Sequence, residues 1–265
     1  MHIEIASINC QGARDYNEDS HGQWQNERFT ACLVADGAGG EGGGDIASQL
    51  ACATMLDLFG RNPTLDGDVL RSMLETANES VLAQQLLGGL QAQMRTTVVF
   101  LALDTQTQQA AWVHAGDSRL YHFRHRCLLE RSIDHSVVQE MVNNGMLTEE
   151  QARAHPHRNL ISSALGAQDG SLEISVTGPV SVQPEDAFLL CSDGVWEPLG
   201  DAQLSETLGC AMSPKDWLSQ LKERITRVGK KGQDNFTAVA IWLSDNDETT
   251  VLLPDPSTII IEKSP

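Results

Sequence analysis

Residues 97–123 read TVVFLALDTQTQQAAWVHAGDSRLYHF, and this stretch decides the fold. It holds three apolar runs, 97–103, 110–115 and 120–123, rich in Val, Phe, Trp and Tyr and broken by DTQTQQ and GDSR. The runs are strand-sized and the breaks are turn-sized, so three strands follow one another with no helix between them. The same signs place strands at 3–8, 29–35, 172–176, 187–191 and 236–243. Helical spacing appears at Ile46, Leu50 and Ala53, and again at Leu70, Leu74, Ala77 and Val81. Ser213 and Pro214 open a third helix with Trp217, Leu218, Leu221 and Ile225 on one face, and Gly229 closes it. Adjacent helices and strands in runs do not make the regular alternation of a parallel sheet. They predict an α+β fold, with antiparallel sheets covered by helix pairs.

Two segments stand apart. Residues 134–165 are polar and helical, with Thr148 and Gln151 matching a capping box. They read as an insertion over one end of the core. Residues 244–265 turn acidic and carry prolines, which predicts a flexible tail.

The 265 residues suffice for one domain with a sizeable core. With 36 acidic and 18 basic residues the net charge is −18. Such a surface repels phosphate backbones and anionic lipids, so neither nucleic acid nor a membrane is an expected partner. An anionic substrate would need local positive charge. Six cysteines are scattered without close pairing, which writes neither a zinc cluster nor a disulfide framework. The N-terminus lacks a basic region followed by an apolar core, and the longest apolar run, TTVVFLAL, is strand-sized. A cytoplasmic monomer is the expectation.

The chemistry lies in the aspartates. Asp36 follows CLVA and precedes Gly37; Asp193 follows FLLCS and precedes Gly194. Asp117 sits in the turn AGDSR, Asp234 just before the last strand, and Glu18 and Asp19 end the loop RDYNED. Each Asp-Gly by itself is a turn signal. Turns, however, do not require GAGGEGGG after Asp36 or an arginine two residues after Asp117. If the strand ends meet at one pole, the acids raise one another's pKa unless a cation neutralises them. Oxygen-only ligands favour Mg²⁺, Mn²⁺ or Ca²⁺ over zinc.

In order along residues 5–243 come RDYNEDS, VADGAGG, MRTTVV, AGDSR, DHS, TEEQARAHPHRN, ALG, CSDGVWE and QDNFTAVAI. Together these resemble the metal-dependent protein serine/threonine phosphatase family, the PPM or type-two-C class, in its bacterial branch. The resemblance implies a domain over 1–243, built as a two-sheet β-sandwich flanked by helix pairs (α-β-β-α), with residues 134–165 as a mobile flap. It implies two Mn²⁺ or Mg²⁺ ions, Asp36 bridging both, the Gly37 carbonyl completing one, and Asp193 and Asp234 holding the other. Asp117 with Asp193 matches a third-metal position, Glu18 and Asp19 would order metal-bound waters, and Arg14 would hold the substrate phosphate. A water bridging two divalent ions loses a proton near neutral pH and can attack phosphorus in line.

Two positions depart from the family. Many eukaryotic members carry a histidine where Ala38 stands, so a metal-bound water is expected to protonate the leaving alkoxide here. Arg95 occupies a place usually held by glycine.

Other residues have plainer readings. A lone arginine is usually a solvated surface group, but the spacing of Arg14 to Asn17 and Asp19 favours the phosphate role. His135, His155 and His157 read as structural or flap residues, and His122 with His125 as strand and loop rather than a metal pair. Asn17 and Asn235 are expected to fix loops by side-chain hydrogen bonds. Thr249 and Thr250 follow acids in the tail and resemble a phosphothreonine motif read by forkhead-associated domains.

The expected function is hydrolysis of phosphoserine and phosphothreonine, opposing a cognate bacterial Ser/Thr kinase. A non-catalytic phosphoprotein-binding relative would have no physical need for clustered acids. A phosphatase of an anti-sigma antagonist would be expected to carry an added sensory domain.

Overall fold

The computed structural model describes residues 1–39, 43–88, 92–168, 170, 172–228, 232–245 and 260–261. The chain runs β1 His2–Cys10, β2 Ser20–Gln25, β3 Phe29–Ala35, β4 Gly37–Ala38, α1 Gly44–Arg61, α2 Gly67–Gln85, β5 Arg95–Thr96, β6 Val98–Asp104, β7 Gln109–Ala115, β8 Arg119–Arg124 and β9 Cys127–Arg131. It continues with α3 Val137–Asn143, α4 Glu149–Arg153, β10 Ser175–Ser181, β11 Asp186–Cys191, α5 Asp193–Cys210, α6 Pro214–Val228, β12 Phe236–Ser244 and β13 Ile260–Ile261.

Two antiparallel sheets form the centre, ordered β1-β12-β11-β8-β9 and β10-β7-β6-β3-β2-β13, with β4 and β5 as a separate two-stranded ribbon. Strand β3 shows why they stack. Its residues alternate between two buried faces. Cys32 and Val34 point into the sandwich with Val99, Leu101, Phe188 and Ile241. Ala31, Leu33 and Ala35 point the other way, against Ala51, Met55 and Leu74 of the α1–α2 pair. On the far side, Val195, Leu204, Trp217 and Leu221 of α5 and α6 cover Leu189, Cys191, Phe236 and Ala238. The layers are therefore α-β-β-α, as expected. Among the described residues no helix is long and apolar enough to cross a membrane.

The differences from expectation have physical causes. The buried stripe of α1 is Ala47, Ser48, Ala51, Cys52, Met55 and Phe59, not Ile46, Leu50 and Ala53, which are only partly buried. The stripe begins with small, weakly apolar residues before Met55, Leu56 and Phe59, so hydropathy picks the wrong face over its first turns. Strand β10 runs on past its expected end at 176, through Gly178 and Pro179 beside a register shift between Thr177 and Val180, to Ser181. It is an edge strand, where a missing N–H leaves no ladder bond unmade. Strand β2, SHGQWQ, lacks an apolar alternation and was not expected. Helix α5 was not expected either, since it contains Gly194, Pro198 and Gly200; it kinks at Gly200, where φ is 67°.

The capping box forms as written: the Thr148 side chain accepts from Gln151 N–H and the Gln151 side chain from Thr148 N–H. Beyond β12, Ile260 and Ile261 pair with Gln23 and Gly22 of β2. Gly229, Thr249 and Thr250 lie outside the described residues.

Candidate active site at the acidic pole

Four distant segments are tied together at one end of the sandwich. The N–H of Glu18 donates to Asn235 Oδ1 (2.9 Å), and Asn235 Nδ2 donates to the carbonyls of Gln11 (2.7 Å) and Tyr16 (3.1 Å). The N–H of Gly37 donates to the Glu18 carbonyl at 3.2 Å. Ser192 Oγ donates to Asp19 Oδ2 at 2.7 Å while accepting from Thr237 N–H at 3.0 Å. Asn17 holds the same loop, donating to Asn9 Oδ1 and accepting from Asp19 N–H. Asn17 and Asn235 thus fix loops, as their amides suggested.

The glycines after Asp36 and Asp193 are more than turn formers. A Cβ on Gly37 would strike the carbonyl of Gly44, and one on Gly194 the carbonyl of Asn235. Only a residue without a side chain lets these backbones meet there.

Within this frame the acids share one electrostatic field. Burial first, and then the charges of Asp19, Asp193, Asp117 and Asp234, push the Asp36 carboxyl well above the ordinary carboxylate range. Asp193 is raised in the same way, by burial and then Asp117, Asp234 and Asp19. Burial lifts Asp19 to about 6 and Asp117 to about 7. Glu18 is raised too, chiefly by burial, although its Oε1 accepts from Gly44 N–H at the start of α1 (3.1 Å). Asp234 is half-exposed and paired with Arg14 at 2.6 Å.

The donors suit a hard divalent cation. All are oxygens, and the buried Asp19 Oδ1 has no hydrogen-bond partner. Among the described residues no three His, Cys, Asp or Glu side chains close into a metal shell by themselves. The acids share a pole without forming a finished cage.

Beside Asp117 opens a cleft of about 370 Å³ between the α3–α4 segment and α5, lined by Arg119, Asp134, Val138, Arg158, Trp196 and Glu197. Trp196 Nε1 donates to the Asp117 carbonyl at 3.0 Å. Arg119 stacks 3.5 Å from the Trp196 ring centre and binds Asp134 through both carboxylate oxygens.

His114, His122, His125 and His135 make contacts within the scaffold. His114 and His135 stack at 4.7 Å. His122 is buried in β8 within 3.2 Å of Asp186, and His125 pairs with Glu185 in the β8–β9 turn. The supporting residues missed in the sequence are Ser192 and Trp196. Ser192 stands at the N-cap of α5 but makes no side-chain cap bond; its hydroxyl serves Asp19 instead. Unrecognised, α5 hid both.

Fold and pole together define a metal-dependent phosphoprotein phosphatase architecture. The sequence profile of the protein phosphatase 2C family matches residues 10–243, and the chain belongs to that family. It is 29% identical over 251 residues to the serine/threonine phosphatase stp of Listeria monocytogenes, covering 91% of this chain and 95% of that one. A crystal structure of the Mycobacterium tuberculosis serine/threonine phosphatase PstP/Ppp is 32% identical, with a TM-score of 0.80 over 91% of this chain and 99% of that one. A structure of the PstP catalytic domain in complex with two manganese ions is 29% identical, with a TM-score of 0.76 over 92% and 99%.

Proposed function

We propose that this chain hydrolyses phosphoserine and phosphothreonine in proteins at the acidic pole, using two Mn²⁺ or Mg²⁺ ions. The observation that carries the reading is the gathering of Asp19, Asp36, Asp117, Asp193 and Asp234, far apart in sequence, at one pole of the sandwich, where burial and shared charge raise the Asp36 and Asp193 carboxyls. A fold that holds such acids together without a cation works against its own stability. Asp36, the Gly37 carbonyl, Asp193 and Asp234 would hold the pair, with Asp117 and Asp193 offering a third position. When bound, such ions supply an acidified water as nucleophile and positive charge for the phosphoryl oxygens.

The chain's own groups do the rest. Glu18 and Asp19 would order water bound to the ions. Arg14 exchanges Asp234 for the substrate phosphate, which its guanidinium can bind through two N–H groups. The catalytic unit spans 1–243, residues 134–165 act as a flap over the cleft beside Asp117, and 244–265 form an appended tail. The cellular role is to oppose a Ser/Thr kinase, with Thr249 or Thr250 as a modification site read by a forkhead-associated domain. Mass spectrometry after co-expression with the cognate kinase should find phosphate there; its absence removes the tail from the proposal.

The central test is hydrolysis of p-nitrophenyl phosphate with Mn²⁺. Asp36→Asn and Asp193→Asn should each lose at least about 10²-fold, the scale of removing one group that stabilises transition-state charge. Activity surviving both substitutions and added chelator would overturn the two-ion reading.

A further inference from the structure

We propose that Arg95 is a substrate-positioning residue that selects an acidic side chain close to the phosphorylated residue of the substrate. The inference rests on the phosphatase reading above and concerns the ribbon beside its acids.

Strand β4 begins directly after Asp36, and its two residues pair with β5 in the register Gly37↔Thr96 and Ala38↔Arg95. The ribbon is anchored to the acid segment at Asp36. Thr97 N–H and Thr96 Oγ1 both donate to the Asp36 carbonyl, at 2.8 and 3.0 Å. Residues directly opposite in an antiparallel pair point to the same face, with Cβ atoms about 4.5–5.5 Å apart. Ala38 and Arg95 are both exposed. The Ala38 side chain ends at Cβ, so it does not itself crowd the long Arg95 side chain.

Charge makes this position unusual. Among the described residues, Arg95 makes no ion pair or hydrogen bond, whereas Arg14 at the same pole is already paired with Asp234. The molecule carries −18 overall, so its own field disfavours acidic substrates. An exposed guanidinium at the rim reverses that locally.

Spacing decides what the guanidinium meets. Ala38 lies two residues beyond Asp36, about 6.6 Å along an extended chain at the usual rise. In an extended substrate whose phosphate sits over the acids, the residue two positions away on the same face lies about as far. The Arg95 head therefore reaches a neighbouring side chain rather than the phosphate. Its natural ligand there is a carboxylate.

The test uses the whole chain loaded with Mn²⁺ and two phosphothreonine peptides, differing only in Glu or Gln two residues to either side of the phosphothreonine. The wild type should favour the Glu peptide in kcat/KM, mainly through KM. In Arg95→Gln the Glu-to-Gln ratio should fall about threefold to fivefold, the range of an exposed ion pair. Arg95→Lys should restore most of the ratio, and the wild-type preference should shrink as salt shortens the Debye length below about 8 Å. A distorted ribbon would slow both peptides alike and would not respond to lysine. Equal ratios in wild type and Arg95→Gln, or no wild-type preference for Glu, would overturn the proposal. A wild type inactive on these peptides and on p-nitrophenyl phosphate would instead overturn the phosphatase reading, and this inference with it.

Discussion

Asp36 stands in a place its charge resists, and that tension can be measured. Its folded-state proton affinity exceeds that of the unfolded chain because burial and four neighbouring acids penalise the carboxylate. As pH rises from the unfolded carboxylate value through the folded one, the metal-free fold therefore loses stability at this group. Asp36→Asn removes that charge at nearly constant volume. The substitution should raise the thermal midpoint of the metal-free protein at pH 8 and remove the further rise that Mn²⁺ gives the wild type. An unchanged or lower midpoint would mean that Asp36 is not electrostatically opposed. Ser192 behaves in the opposite sense. Its hydroxyl is fully buried and joins Asp19 to Thr237 N–H. Ser192→Ala leaves a buried N–H without its acceptor, which should cost about 1–3 kcal/mol in urea unfolding. Asp36 and Asp193 were legible in the sequence because Asp-Gly after an apolar run is conspicuous. Ser192 was not, because its role depends on Asp19, 173 positions away.

At the scale of elements, sequence reading worked where one periodicity governed one face. Helices α2 and α6 bury the stripes expected of them, Leu70-Leu74-Ala77-Val81 and Trp217-Leu218-Leu221-Ile225. It failed where two surfaces compete. Helix α1 opens its buried stripe with small residues, β2 is polar by composition yet lies between β3 and β13, and α5 keeps breakers that its kink accommodates. The α3–α4 segment shows what such packing does. His135 Nδ1 accepts from Gly116 N–H (3.2 Å), which leaves Nε2 to donate to Ser175 Oγ (2.9 Å). Its stacked partner His114 donates from Nε2 to the Ile133 carbonyl (2.9 Å). Burial, and then the neighbouring imidazole, lowers His135 to about 4, against a partial pull upward from Asp134; burial lowers His114 as well. Both are neutral in the fold and take up protons more readily when unfolded. Their stabilising effect is complete above about pH 6.5 and is lost as pH falls toward 4. Hydrogen-exchange protection factors across residues 134–165, taken relative to the intrinsic exchange rate at each pH, should be lower at pH 5 than at pH 7, with those of α6 unchanged. Equal protection at both values would show that the imidazole pair does not fasten the segment.

For the whole molecule, these opposing titrations separate by pH. The histidine contribution rises with pH and ends near 6.5. The acids work the other way: Asp19 at about 6 and Asp117 at about 7 bind protons more tightly folded than unfolded, as do Asp36 and Asp193. Each costs stability as pH climbs from the unfolded carboxylate value through its folded one, and the cost is complete above that. Between pH 6.5 and 8 only the acids remain in play, so the metal-free protein should lose thermal stability across that interval. A cation held by these carboxylates reverses the sign of the interaction, and its affinity grows as their protons leave. Millimolar Mn²⁺ should therefore raise the midpoint by more at pH 8 than at pH 6.5. Scanning calorimetry with and without Mn²⁺ at the two pH values reads this directly. A metal-free midpoint that is flat or rising, or a Mn²⁺ increment independent of pH, would show that the acids at this pole do not act as one cation-binding group.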